Sequence, residues 1–223
     1  MSRRSFFWYN QKIHMTQKLS QALACFVIGI AYVVILNAYV DIPILRDQIV
    51  PGTGADFSDG LAFFFCGIIA YVVGIGSQRS NLVADLMLPT SVLVLFLLMS
   101  TRVTAAALGL HIDISILLSG NDSSLLQSAD RVLPWGEILS FCLVALNGLS
   151  LMVRTRWSAY VPLLTGLTLI VLNASAVLGY VLSIAWLTGR LGSVSVATSA
   201  LAAPLLVVIG IVFLLTWFRK KRS

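Results

Sequence analysis

Six apolar stretches, each close to the thickness of a lipid bilayer in helical length, constrain this chain more than any other feature. They run over roughly 21–40, 60–76, 86–109, 136–153, 160–181 and 196–218. A helix crossing hydrocarbon needs about 20 mostly apolar residues. The second and fourth stretches are the shortest and reach span length by extending into their polar ends or by standing more upright. Inside a bilayer no water satisfies backbone N–H and C=O groups, so stretches of this length can only be helices. The first run ends Leu36-Asn37-Ala38-Tyr39-Val40 with no small-x-small cleavage signature, which marks an uncleaved first span rather than a removed leader. The expectation is an all-α membrane protein with six transmembrane helices.

Composition agrees. Charged residues make up 11% of the chain and hydrophobic residues 58%, whereas soluble domains carry about 25% charged residues. The net charge of +6 does not point to nucleic acid, because the cations flank apolar runs and form no continuous stripe. Cys25, Cys66 and Cys142 all fall within apolar runs, lack metal or redox spacing, and read as small buried packing residues with no disulfide.

The distribution of Lys and Arg gives an orientation. With the N-terminus inside, Arg3, Arg4, Lys12, Lys18, Arg79, Arg154, Arg156, Arg219, Lys220, Lys221 and Arg222 are cytoplasmic, eleven of the 15 basic residues. Arg46, Arg131 and Arg190 are outside, and Arg102 lies within the third span. This bias places both termini in the cytoplasm. Tyr39, Trp135, Tyr180 and Trp186 then mark the outer interface, and Trp8, Trp157, Tyr160 and Trp217 the inner one. A basic and aromatic cytoplasmic lead-in (1–19), with Phe6 to Lys18 expected to lie along the membrane surface, precedes the six-helix domain (20–218). A basic tail (219–223) closes the chain. The inner loops are short, so loop-built binding surfaces are expected to face outward.

The outer connections resemble one another. Asp41-Ile42-Pro43-Ile44-Leu45, Asp113-Ile114-Ser115-Ile116-Leu117 and Ser183-Ile184-Ala185-Trp186-Leu187 recur at intervals of 72 and 70 residues. A near-constant period in step with the spans predicts three parallel two-helix repeats, about 20–77, 86–153 and 158–218. In each unit a polar residue, Asp59, Glu137 or Thr198, opens the returning span, where a carboxylate also suits the helix dipole.

These same residues carry a family resemblance. Asp41-Ile42-Pro43-Ile44-Leu45, Pro51-Gly52, Leu61-Ala62-Phe63 and Gly67 follow in an order similar to that of the six-helix N-terminal membrane module of bacterial sensor histidine kinases and diguanylate cyclases. Gly109-Leu110-His111-Ile112-Asp113 resembles that module's second outer turn, and Leu178-Gly179-Tyr180 with the small-residue run Ala197–Ala203 its last unit. The resemblance extends from about 20 to 218. Phe57-Ser58-Asp59-Gly60-Leu61 departs from it, standing where the module usually carries a Met-x-x-Asn-Thr-Ala-Leu type segment. The resemblance implies a sensory role in a bacterial cytoplasmic membrane and action as a homodimer. No PAS, kinase or cyclase sequence follows the sixth span within the 223 residues, so the expectation is either output through a cytoplasmic or membrane protein partner or an output half that lies elsewhere.

Chemistry is sparse. Ser-x-x-Lys, Gly-x-Ser-x-Gly, His-Glu-x-x-His and phosphate-loop patterns are absent, and Gly74-Ile75-Gly76 reads as a helix terminus. His14 and His111 stand on opposite sides of the membrane and cannot share a metal. No metal, cofactor or enzymatic activity is expected. Arg102 is the intramembrane charge, and such a charge is a functional candidate by default. It either snorkels outward, with the span ending near Ser100, or pairs with Asp59, Asp113 or Glu137 or an anionic ligand. Candidate outer ligand or coupling residues are therefore Arg102, Asp41, Asp59, Asp113, Glu137 and His111. Asn147 and Asn173 lie deep in spans, where interhelical hydrogen bonding is the expected use. Pro89 and Pro204 are expected to kink their helices.

Three functions fit this pattern. A sensory or signalling input module acting through a partner ranks first. A non-catalytic accessory subunit of a larger membrane complex ranks second. A small transporter or channel ranks third, since that class places ionisable residues near the midplane.

Overall fold

The computed structural model describes residues 3–40, 57–75, 82–107, 135–153, 156–184, 190–191, 194–195, 199 and 201–222. Six helices dominate: α1 (Arg3–Val40), α2 (Phe57–Ile75), α3 (Leu82–Ala107), α4 (Trp135–Met152), α5 (Val161–Val181) and α6 (Ala202–Arg222). Each contains a segment long and apolar enough to span a bilayer: Met15–Leu36, Phe57–Ile75, Asp85–Thr104, Trp135–Met152, Val161–Val181 and Ala202–Lys221. The chain is a six-helix, multi-pass membrane protein.

The element boundaries differ from the hydropathy reading in informative ways. Helix α1 begins at Arg3 and is unbroken through Val40, so no turn near Lys18 separates a surface-lying lead-in from the first span. Helix α6 begins at Ala202, six residues after the apolar run starts. Ser199 explains that start: its Oγ accepts from the Ala202 N–H at 3.1 Å and its carbonyl from the Ala203 N–H at 3.0 Å, which satisfies donors a helix N-terminus otherwise leaves open. Pro204 therefore sits in the first turn of α6, where a missing N–H costs nothing, and is no mid-helix kink. Pro89 does lie inside α3. A short 3-10 turn (Arg156–Ala159) leads into α5, whose first turn carries Pro162.

Helix α5 ends in a left-handed residue, Ser183 (φ 54°). Its N–H reaches the Tyr180 carbonyl at 3.3 Å and the Ile184 N–H the Gly179 carbonyl at 2.9 Å, a pair of bonds that closes the last turn. A two-residue antiparallel ladder, β1 (Arg190–Leu191) with β2 (Val194–Ser195), follows in the connection to α6.

Packing rests on close backbone approach. Along α1 the buried positions Ser20, Ala24, Val27, Ala31 and Val34 alternate at spacings of four and three, the seam expected for helices crossing at a shallow angle. Helix α2 meets that seam with Gly60, Gly67 and Gly74. A methyl group at Gly67 would stand 2.5 Å from Ile28 Cγ1, so only glycine allows this approach. Between lipid-soaked helices, where the solvent is as apolar as the side chains, small residues at contacts let dispersion and packing drive association. Helix α2 is the hub, touching α1, α3, α4 and α6. Its Phe63 packs edge-to-face on Phe141 of α4, centroids 5.1 Å apart. The outward faces carry Phe26, Leu93, Phe96, Leu164 and Val171, as hydrocarbon contact requires.

Several hydroxyl groups in the spans donate within their own helices. Ser20, Ser140, Thr165 and Thr216 each donate to the carbonyl four residues earlier at 2.7–2.8 Å. Of the cysteines, Cys66 is buried as expected, whereas Cys25 and Cys142 are exposed on the apolar outer surface. That corrects the reading of all three as buried. An apolar run does not reveal which of its faces turns inward.

Candidate functional site

Two polar groupings occupy the interior. The first joins the start of α2 to the far half of α3. Arg102 donates from Nη2 to Ser58 Oγ and to Asp59 Oδ1, forming an ion pair with Asp59. Both charged side chains are mostly shielded, 16% and 15% exposed. Helix α3 continues to Ala107, so Arg102 is held five residues inside the helix rather than beyond its end. The placement suits the backbone as well as the charges. Asp59 lies in the first turn of α2, where the helix dipole favours an anion, and Arg102 lies toward the C-terminal half of α3, where it favours a cation. Charge-assisted hydrogen bonds of this kind are stronger than neutral ones, the more so in a low-dielectric surrounding.

The second grouping lies along the inward face of α4. Glu137, Ser140, Val144 and Asn147 are all buried and follow one another at three- and four-residue steps. Glu137 is only 1% exposed. Asn173 of α5 donates from Nδ2 to Ser140 Oγ at 3.1 Å and to the Leu169 carbonyl at 2.9 Å. Asn147 is fully buried, yet neither its Nδ2 nor its Oδ1 has a hydrogen-bond partner among the described residues. Next to it, a methyl group on Gly148 would stand 2.6 Å from Val92 Cγ2 and 3.2 Å from Ile69 Cγ2, so α4 is pressed against α2 and α3 at this depth.

A third contact lies at the opposite end of α2. Arg219, near the end of α6, donates from Nη1 to the Gly74 carbonyl at 2.7 Å. Gly74 also faces Ser20 of α1. This guanidinium occupies the end of α2 where unsatisfied carbonyls and the negative end of the dipole attract a cation.

Of the candidate residues, Arg102 and Asp59 are brought into direct contact, and Glu137 is buried in the first turn of α4. Asp41, His111 and Asp113 lie outside the described residues. Ser58, Ser140 and the Arg219–Gly74 contact were absent from the candidates. Gly60, Gly67 and Gly74, spaced by seven, were the sequence signal that could have placed α2 against α1. Among the described residues, no three His, Cys, Asp or Glu side chains are grouped as a metal site would need. Chemically, the arrangement can hold charge inside an apolar bundle and tie helix ends together. Comparison with protein-family models, with curated proteins and with solved structures finds no match to this chain.

Proposed function

We propose that this protein is a membrane-embedded sensory input module whose state passes to a protein partner at the end of the bundle carrying the chain termini. One observation carries this reading: a single helix, α2, engages Arg102 through Ser58 and Asp59 at its start and Arg219 through Gly74 at its end. The helix is 19 residues long and packs against α1, α3, α4 and α6. A rigid element contacted at both ends is the kind of part through which a change at one face of a membrane reaches the other. In this reading the six helices act as three parallel two-helix units, both termini are cytoplasmic, and the Arg102 pair faces the outside. The pair is then the element that an external stimulus would bias.

The test is recovery of the intact protein from its native membrane with whatever it binds. A kinase or cyclase that accompanies it, with an output altered by Arg102→Gln while assembly is unchanged, supports the proposal. A fixed-stoichiometry complex with redox or transport subunits would overturn it in favour of an accessory subunit.

A further inference from the structure

We infer that Asn147 binds water inside the bundle, at the seam between α4 and α5. The inference stands on how these two helices pack and does not need the sensory role.

Two ties set the register of the pair. Asn173 of α5 donates to Ser140 Oγ of α4 at 3.1 Å. At the other end, residues 153–160 join the close of α4 to the start of α5. Asn147 lies between these ties. It follows Ser140 by two helical turns and so shares its α5-facing side. The same step back along α5 from Asn173 leads to Gly166, beside the buried Thr165. Counting from the connection agrees, since Asn147 stands five residues before the end of α4 and Thr165 four after the start of α5.

Asn147 is 0% exposed, and among the described residues neither its Nδ2 nor its Oδ1 meets a hydrogen-bond partner. Asn173 Oδ1, on the same seam, is in the same position. A carboxamide left unpaired in an apolar interior is costly, and buried polar groups are met by protein or by ordered water. The chemistry of Asn147 selects its occupant. Nδ2 only donates and Oδ1 only accepts. A cation would serve Oδ1 and face the Nδ2 hydrogens, and an anion would do the reverse. Water serves both atoms. Thr165 Oγ1 donates to the Val161 carbonyl at 2.7 Å and keeps lone pairs for the same molecule. The two ends of the carboxamide and this hydroxyl fall within the roughly two to four partners a buried water uses. Packing leaves the room on this side. Helix α5 packs far more extensively on α6, where Gly166 and Gly210 meet through their backbones, than on α4. The α5–α6 seam is thus dry and fixed, and the α4–α5 seam is wet.

The experiment uses the full, unaltered chain with isotope-labelled asparagine in nanodiscs of deuterated lipid. Magnetisation transfer from water to side-chain amides is read by NMR in the laboratory frame and in the rotating frame. Opposite signs in the two mark a bound water, and equal signs mark proton exchange. The expected result is transfer of opposite sign to the Nδ2 hydrogens of Asn147. Asn147→Leu assigns the resonance by its loss. Donor, acceptor and water leave together in that variant, so its stability is kept. Through-bond correlation to the Asn147 backbone makes the same assignment without any substitution. Thr165→Val removes a hydroxyl that could relay the signal, and the transfer should persist in it. Absence of transfer in the unaltered protein, equal signs, or a contact from Asn147 Nδ2 to another side chain in place of water would overturn the inference. So would loss of the transfer in Thr165→Val, which assigns it to the hydroxyl. A shift of the Asn147 signal on replacing sodium and potassium by N-methylglucamine would likewise overturn it, by marking a cation.

Discussion

Gly166 on α5 and Gly210 on α6 face each other so closely that a methyl group on either would stand 2.9 Å from the other's carbonyl oxygen. The contact is reciprocal and involves backbone, which cannot rotate away. Gly166→Ala or Gly210→Ala is expected to destabilise the protein by about 1–3 kcal/mol, the usual cost of overpacking. Gly29→Ala on α1 is the control, because nothing lies within 4 Å of its added methyl group. That change should be neutral or stabilise the helix by up to about 1 kcal/mol. Unfolding in mixed micelles by titration with a denaturing detergent measures all three. Equal losses at Gly29 and Gly210 would contradict the packing described.

The Arg102–Asp59 pair makes a second prediction. Asp59→Asn and Arg102→Gln should each cost about 1.5–3 kcal/mol, the scale of a hydrogen bond to a charged group left without its partner. The double variant should lose clearly less than the sum, since neither charge then remains buried alone. Additive losses in the same unfolding assay would mean that the two side chains do not interact in the membrane.

The two buried asparagines should behave differently. Asn173→Leu removes the bond to Ser140 and is expected to cost about 0.6–2 kcal/mol. Asn147 has no hydrogen-bond partner among the described residues, so Asn147→Leu should leave stability unchanged or raise it. A large loss at Asn147 would require a polar partner that the helices described here do not provide. Thermal unfolding of the two variants side by side distinguishes the cases.

Orientation has its own test. Reporters that are active only in the cytoplasm should be active when joined after Arg222 and inactive when placed in the connection between α3 and α4. The reverse pattern would invert the positive-inside reading of the eleven basic residues assigned to that side.

The six spans were legible in the sequence because the bilayer acts on a whole segment. Twenty apolar residues carry their signal whatever their neighbours do. Facing was less legible. Cys25, Cys66 and Cys142 sit in similar apolar runs, but only Cys66 turns inward, and that depends on which helix packs alongside. The pairing of Arg102 with Asp59 was one of several open choices, because Asp59, Asp113 and Glu137 are all carboxylates assigned to the outer boundary. Relative positions of α2 and α3 decided it. The bond from Arg219 to Gly74 joins residues 145 apart and involves a backbone carbonyl, which has no residue-type signature. The start of α6 was misplaced because hydropathy responds to Val196 and Ala197, whereas the helix begins where Ser199 can cap it.

The unbroken course of α1 has a mechanical consequence. Its 38 helical residues measure about 57 Å at 1.5 Å per residue, nearly twice the roughly 30 Å of a hydrocarbon core. The part before Met15 is therefore a stalk of about 18 Å, continuous with a span that is locked to α2 by Gly60, Gly67 and Gly74. A tilt of about 10° in the bilayer would swing the tip of that stalk by about 3 Å. Small reorientations of the α1–α2 pair would thus emerge beyond the membrane as lever motion, at the end of the molecule that carries its most concentrated charge.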